Sequence, residues 1–316
     1  MTAAAVPPAL PDAFRRGFLL LVDKPAGMTS HDVVERVRAT LAIPRIGHSG
    51  TLDPMATGLL LLCAGAAARL QGFFTRMDKS YEGVIRLGRA TTTYDAEGEP
   101  VGEDRDASGI TRAAVEAAAA PFRGEFLQAP PPYSAKKVGG RKLYELARKG
   151  KIVAAEPKTV RVTELSFGDP RDGRVPFSLS CSSGTYVRSI ASDLGEKLAC
   201  GAHLEVLRRT RIGDFSAADA IGLEEFERAA PADRVRPPHA VALSRVPFPF
   251  ARVPVGSLEA WKLRRGQPIP VSAVPAREGD WVALVGPGEE MVALGQITPI
   301  GRAGVSVVKP KIVLQR

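Results

Sequence analysis

The stretch RIGHSGTLDPMATGLLLL, residues 45–62, constrains the fold more than any other part of the chain. Gly47, Gly50 and the Asp-Pro step at 53 and 54 predict a loop, because glycine admits backbone angles closed to other residues and proline removes a backbone donor. The run that follows, residues 58–68, is the longest apolar stretch of the sequence. It has to be buried, yet it is too short to span a bilayer, which takes ~20 residues. One carboxylate, Asp53, therefore stands at the lip of an apolar core. Two readings of it stay open. Asp-Pro is a common turn opener, and Asp53 can cap a turn before a helix whose first turn holds Pro54. Alternatively, a glycine-flanked loop on a rigid apolar base lets a substrate backbone approach closely and seats a catalytic carboxylate.

Around this junction strands and helices mix without strict alternation. Residues 18–22 read as a buried strand, stopped by Pro25 and Gly27. A helix follows, with Ser30 as N-cap, Asp32 in the first turn and Val33, Val34, Val37 and Leu41 on one face, ending before Pro44. Residues 81–88 alternate like a strand, and 111–120 are Ala-rich and helical. Later, CSSGTYVRSIASDLG ends a strand at Cys181, breaks at Gly184 and enters a helix near Tyr186. Hairpin-like pairs recur, so the class is α+β with a mixed, mainly antiparallel sheet. Residues 1–16, broken by Pro7, Pro8 and Pro11, read as a flexible tail rather than a signal peptide. Residues 17–246 form the main body. Across its end, 229–249 is Pro-rich and reads as a linker or extended crossover. Residues 247–316 carry short strands (WVALVG, MVALGQI, GVSVVKP) and form a small β-rich domain.

The charge balance bears on partners. Lys and Arg number 43 against 34 Asp and Glu, a net charge of +9. Such a surface suits a polyanion, because cations that neutralise phosphates release counterions; it also suits plain solubility. Three cysteines, Cys63, Cys181 and Cys200, with no C-x-x-C spacing, imply a reducing cytoplasm and no disulfide framework. Cys200 and His203 could share a helical face, but further ligands for a metal are lacking. No P-loop or dinucleotide fingerprint occurs.

Several other residues carry chemistry. Tyr81, in KSYEG, is either a half-buried strand tyrosine or a plate on which a base stacks. Arg188 falls in the first turn of its helix, where a cation opposes the helix dipole, so it needs a nearby anion; a buried aspartate would serve. Residues 136–151 gather Lys136, Lys137, Arg141, Lys142, Arg148, Lys149 and Lys151 against Glu145. That run is a solvated face or, with Gly139 and Gly140, an arm that clamps a phosphate backbone. Arg208, Arg209 and Arg211 make a second basic cluster.

Taken together, the blocks DKPAGMTSHDVV, GHSGTLDPMATGLLLLCAG, KSYEGVIRLGRATTTYDAEG, PPYSAKKVGGRKLYELARKG and CSSGTYVRSIASDLGEKLACGAHLEVLRRTRIGDF resemble, in order, those of the TruB family of bacterial tRNA pseudouridine-55 synthases. The resemblance runs from about residue 17 to 228, and the final seventy or so residues resemble a PUA-like RNA-binding domain more loosely. It implies a pseudouridine synthase fold in residues 17–246, with a basic RNA-clamping arm at about 130–158. It implies isomerisation of a T-loop uridine in tRNA, through C1′–N1 cleavage, base rotation and C1′–C5 rejoining. Asp53 is then the catalytic carboxylate, Arg188 its partner and Tyr81 the stacking residue. His48 contacts the RNA near the flipped uridine, Tyr186 and Leu207 line the pocket, and Lys24, in the K-P motif, supports its floor. Ser49 departs mildly from the threonine of many members. The resemblance implies no metal and no organic cofactor, a tRNA T-arm as partner, no membrane, and a cytoplasmic monomer.

Two rivals remain from other classes. A non-catalytic RNA-binding or tRNA-folding protein explains the charge, the arm and the aromatic residue, but not a carboxylate facing an RNA backbone. A glycosidase-type hydrolase ordinarily takes two carboxylates, and the conspicuous block holds Asp53 alone.

Overall fold

The first apolar run forms a strand, β1 (Gly17–Lys24), buried along nearly its whole length. Strands covered on both faces lose the polar–apolar alternation of half-exposed ones, so they read as continuous hydrophobic runs. The leucines after Asp53 make a second such strand, β2 (Thr57–Gly65), antiparallel to β1 with Leu21 opposite Leu61 and Val22 opposite Leu60. Asp53 therefore caps no helix: a tight turn carries the chain straight into β2, closed by Ala56 N–H donating to Asp53 O at 3.1 Å. Burial of alternate leucines on two faces decides for strand over helix. This computed structural model describes residues 14, 16–134, 136–147, 151, 153, 155–271, 274, 276–299 and 306–314.

Six more strands complete the central path: β3 (Lys79–Leu87), β4 (Gly124–Gln128), β5 (Lys158–Phe167), β6 (Arg174–Cys181), β7 (Ala202–Ile212) and β8 (Ile221–Gly222). Their order is β8-β1-β2-β7-β3-β6-β5-β4. Only the β1–β8 and β2–β7 pairs on this path are parallel, so the sheet is mixed and mainly antiparallel. A short strand, Ile46–His48, attaches to β2, where the sequence predicts loop; strand-edge groups of β2 supply its hydrogen-bond partners. Another, Ala240–Ala242, pairs with β1, so the Pro-rich segment is stitched to the sheet rather than left as a free linker.

Helix α1 (Ser30–Leu41) starts one residue beyond its cap, which is Thr29 and not Ser30. Thr29 Oγ1 accepts from Asp32 N–H, and the Asp32 carboxylate accepts from Thr29 N–H, a reciprocal box that satisfies two orphan donors. Val33, Val34, Val37 and Leu41 pack against Leu20, Val22, Leu60 and Leu62. Helix α2 (Arg112–Ala119) and helix α3 (Val187–Lys197) cover another part of the sheet, with Val115, Ala119, Ile190 and Leu194 in one cluster with Leu204 and Leu207. Helix α4 (Leu223–Arg228) adds Phe226 beside α1.

The C-terminal strands are β9 (Ala251–Pro254), β10 (Ile269–Val271), β11 (Trp281–Gly286), β12 (Glu290–Pro299) and β13 (Ser306–Val313), ordered β9-β11-β12-β13-β10. A helix, α5 (Ser257–Arg264), joins them, unannounced by the β-rich reading. This sheet and the main sheet share apolar surface: Leu19, Leu21, Leu59 and Leu61 fall in one buried cluster with Ala283, Met291, Leu294 and Leu314. Phe73 meets Trp281 edge to face at 5.0 Å. Of the basic arm, a ribbon at 137–138 and 141–142 and a short helix, Leu143–Ala147, are present. Arg148, Lys149, the side chains of Lys137, Arg141 and Lys142, and the tail other than Phe14 and Arg16 lie outside the described residues. Among the described residues no helix is long and apolar enough to cross a membrane.

Candidate active site

Asp53 projects from a turn whose backbone is clamped on both sides. Ser30, freed from capping, brackets the Leu52 peptide: its hydroxyl accepts from Leu52 N–H at 2.8 Å and lies 3.2 Å from Leu52 O. On the far side, the Lys24 ammonium donates to Pro54 O at 3.1 Å, and also to Pro25 O at 2.8 Å and Met28 O at 2.6 Å. Three carbonyls thus use its three protons. Burial pulls the Lys24 pKa down to about 8. Gly58 lets β2 approach β7 here: its φ is +98°, and a β-carbon at that position would lie 2.3 Å from Arg209 O.

Arg188 reaches Asp53 from the first turn of α3. Its Nε lies 3.0 Å from one carboxylate oxygen and its Nη2 donates to the other at 3.1 Å. Nη2 also donates to Tyr133 O at 3.0 Å, and Nη1 donates to Thr93 O at 2.8 Å. A second carboxylate, Asp95, stands 3.2 Å from Nη1. The guanidinium thus donates three hydrogen bonds, and Nε and Nη1 add ion-pair contacts to Asp53 and Asp95. The anion that the helix dipole calls for at this position is thus a pair of anions. Asp95 is 4% exposed and Arg188 6%, whereas Asp53 keeps 35% of its side chain open.

That opening faces two cavities. One, of about 270 Å³, is lined by Asp53, Tyr81, Tyr186, Arg188 and Leu207, together with Lys79 and Arg209. The other, of about 800 Å³, shares Asp53 and Arg188 but is lined by His31, His48, Asp95 and Glu97. The expected site residues are thus brought together on Asp53, with His48 across the Asp53–Arg188 pair from Tyr81, Tyr186 and Leu207. Lys24 lines neither cavity and acts from beneath through Pro54 O. Burial raises the Asp53 pKa, Arg188 opposes that rise and the Asp95 charge adds to it. Burial lowers the His48 pKa and raises that of Tyr81, a rise that the nearby Arg209 charge opposes.

Some of these residues escape the sequence pattern. Asp95 sits in a polar turn stretch, and only the fold brings it to Arg188. Gln128, at the end of β4, brackets the Tyr186 backbone: its Oε1 accepts from Tyr186 N–H at 2.7 Å and its Nε2 donates to Tyr186 O at 3.0 Å. The second basic cluster does not hold together as a surface. Arg208 pairs with Asp23 at 2.6 Å, Arg211 is exposed, and Arg209 is buried in the cavity wall. The LRR run carries no periodic sign of this, although strand alternation puts Leu207 and Arg209 on one face. Cys200 and His203 share no helix: α3 ends at Lys197 and His203 lies on β7, its Nδ1 2.9 Å from Arg89 O.

Comparison with known proteins gives this geometry a family. Residues 38–187 match the model of the TruB family pseudouridylate synthase N-terminal domain, and 188–246 match that of the tRNA pseudouridylate synthase B C-terminal domain. The tRNA pseudouridine synthase B of Solibacter usitatus is 42% identical over 280 residues, covering 88% of this chain and 95% of that protein. That of Opitutus terrae is 49% identical over 209 residues, 66% of this chain and 86% of the relative. In fold, the chain superposes on an H/ACA ribonucleoprotein bound to a substrate RNA containing 2′-deoxyuridine, with a TM-score of 0.69 at 21% identity over 95% of this chain and 85% of that one. A relative matched along nearly its whole length, and two family models that meet at the residue before Arg188, lead to one assignment: the chain belongs to the TruB family of pseudouridylate synthases.

Proposed function

We propose that this chain is a tRNA pseudouridine synthase that isomerises uridine 55 in the T-loop, with Asp53 as the catalytic carboxylate. The observation that carries the reading is the side-on grip of Arg188 on Asp53, at 3.0 and 3.1 Å, in the wall of an aromatic-lined cavity of about 270 Å³. The target uridine leaves its stack at a cost of a few kcal/mol and enters that cavity. Tyr81 stacks on the base, and Tyr186 and Leu207 complete the pocket. The N1–C1′ bond breaks, the ring turns, and C5 joins C1′. Asp53 attacks C1′ or removes the C2′ proton; each role needs the ionised carboxylate that Arg188 favours. Exclusion of water from the occupied pocket keeps the detached base from being lost. His48 contacts RNA on the other side of the pair.

In this reading the basic arm at about 130–158 clamps the tRNA T-arm, and residues 247–316 act as a PUA-like RNA-binding domain. The enzyme works as a cytoplasmic monomer without metal or organic cofactor. Tritium release from tRNA labelled at uracil C5, with the RNA mass unchanged, tests the activity. RNA binding without release would favour the tRNA-folding reading, and release of free uracil would favour a hydrolase.

A further inference from the structure

Asp53 and Asp95 share Arg188, and the wall of the smaller cavity holds two further cations. Arg209 is 1% exposed and Lys79 6%. Arg209 donates to Leu59 O at 2.8 Å and to Gly50 O at 3.1 Å, and its charge lies beside Tyr81. Lys79 donates to Thr75 O at 2.6 Å and Met77 O at 2.5 Å. All of these oxygens are neutral. The two cations face each other across Gly50: a β-carbon there would lie 3.8 Å from Arg209 Nη1 and 3.8 Å from Lys79 Cε. Burying like charges together is costly, because each loses hydration and they repel. Such an arrangement makes sense where the compensating charge arrives during the reaction.

We propose that Arg209 and Lys79 stabilise the uracil ring as an anion while it is detached from the sugar. The inference rests on the pseudouridine synthase reading. When N1–C1′ breaks, its electron pair leaves with the ring. C1′ is then satisfied by an Asp53 oxygen, or by loss of a C2′ proton that is returned at rejoining. The ring becomes a uracil monoanion, its charge shared by N1, O2 and O4. Bond formation from C5 to C1′ uses that charge. C5 then releases its proton and N1 gains one, so no atom is gained or lost. Negative charge on the ring exists only between the two bonds. Cations facing it lower the barrier without needing to hold neutral uridine tightly.

The test is single-turnover consumption of uridine and of 5-fluorouridine at the reactive position of a T-stem-loop RNA, with saturating enzyme. Consumption of either requires N1–C1′ cleavage, and fluorine makes the departing ring a more stable anion. Lys79→Met should slow uridine consumption by about a hundredfold, the scale of removing one preorganised charge-stabilising donor, and slow 5-fluorouridine consumption by about tenfold less. Arg209→Met should show the same inequality, and the charge-keeping Lys79→Arg and Arg209→Lys should recover much of the uridine rate. Equal losses on both nucleotides in a folded Lys79→Met would overturn the proposal, since a structural defect slows both alike. Should Arg209→Met fail to fold, the Lys79 pair decides alone. Absence of pseudouridine from the wild-type reaction would remove the underlying reading instead.

Discussion

Arg188 holds Asp53 through two parallel contacts, Nε at 3.0 Å and Nη2 at 3.1 Å, from a helix start where its charge is otherwise unfavourable. The planar fork fixes the carboxylate in orientation as well as charge, which an ammonium cannot do. Asp95, 3.2 Å from Nη1, adds a second anion in the wall of the larger cavity.

Asp53→Asn should abolish pseudouridine formation while tRNA affinity stays within about tenfold, equivalent to ~1.4 kcal/mol. Asparagine keeps the shape but cannot attack carbon or take a proton. Substantial turnover by the purified variant, measured by tritium release, would refute the catalytic role.

Arg188→Met removes the group that opposes the burial-driven rise of the Asp53 pKa. The acid limb of single-turnover activity should move to higher pH, with most activity lost at neutrality and part regained as pH rises. The stability sign follows. A carboxylate whose folded pKa lies above its unfolded value binds a proton more tightly when folded. Folding stability therefore falls as pH rises from the ordinary carboxylate value through the raised one. The melting-temperature deficit of Arg188→Met should accordingly shrink as pH is lowered towards 5. A flat activity profile at wild-type rate would separate Arg188 from Asp53.

Asp95→Asn should act in two directions. Removing a like charge beside Asp53 lowers the Asp53 pKa, so the acid limb moves to lower pH. The plateau rate should fall by about tenfold or more, because Arg188 loses one of its anchors and catalysis is sensitive to ångström-scale misplacement. An acid limb that moves upward would contradict this arrangement.

Lys24→Met keeps the apolar stem but leaves the carbonyls of Pro25, Met28 and Pro54 without their buried donor. Relief from burying the charge offsets part of the damage, leaving a net loss of about 1–3 kcal/mol in denaturant unfolding. The turn behind Asp53 loosens, so kcat should fall while tRNA affinity holds. Unchanged kcat would show that the Lys24 bond to Pro54 O does not position the carboxylate.

Truncation after residue 246 retains every candidate catalytic residue but uncovers Leu19, Leu21, Leu59 and Leu61 where they meet Ala283, Met291 and Leu294. The shortened chain should melt at least about 5 °C lower, since each kcal/mol moves a domain of this size by a few degrees. It should also bind tRNA more weakly, with single-turnover chemistry preserved. An unchanged melting temperature would mean that the shared apolar face contributes little.

The fold class was legible in the sequence, and so was the residue proposed to react. Continuous apolar runs announced β1 and β2, spaced valines announced α1, and the glycine-flanked Asp-Pro step marked Asp53, because each of these signals is local. The alternative that Asp53 caps a helix was equally local. It failed only because β1 stood ready to pair with the leucines, and a lone segment carries no record of its strand partner. Ser30 shows the same limit: a good capping residue by type, it yields that task to Thr29 because its hydroxyl meets the Leu52 peptide. The need of Arg188 for an anion could be deduced from its place in α3. That two anions answer, one of them from the polar turn at Asp95, follows from contacts spanning 135 and 93 residues of chain. Arg209 marks the boundary most sharply. In sequence it is one of three neighbouring arginines and reads as surface charge. In the tertiary structure, β7 turns its side chain inward between Leu59 O and Gly50 O, because pairing with β2 and β3 gives each face of that strand a different environment.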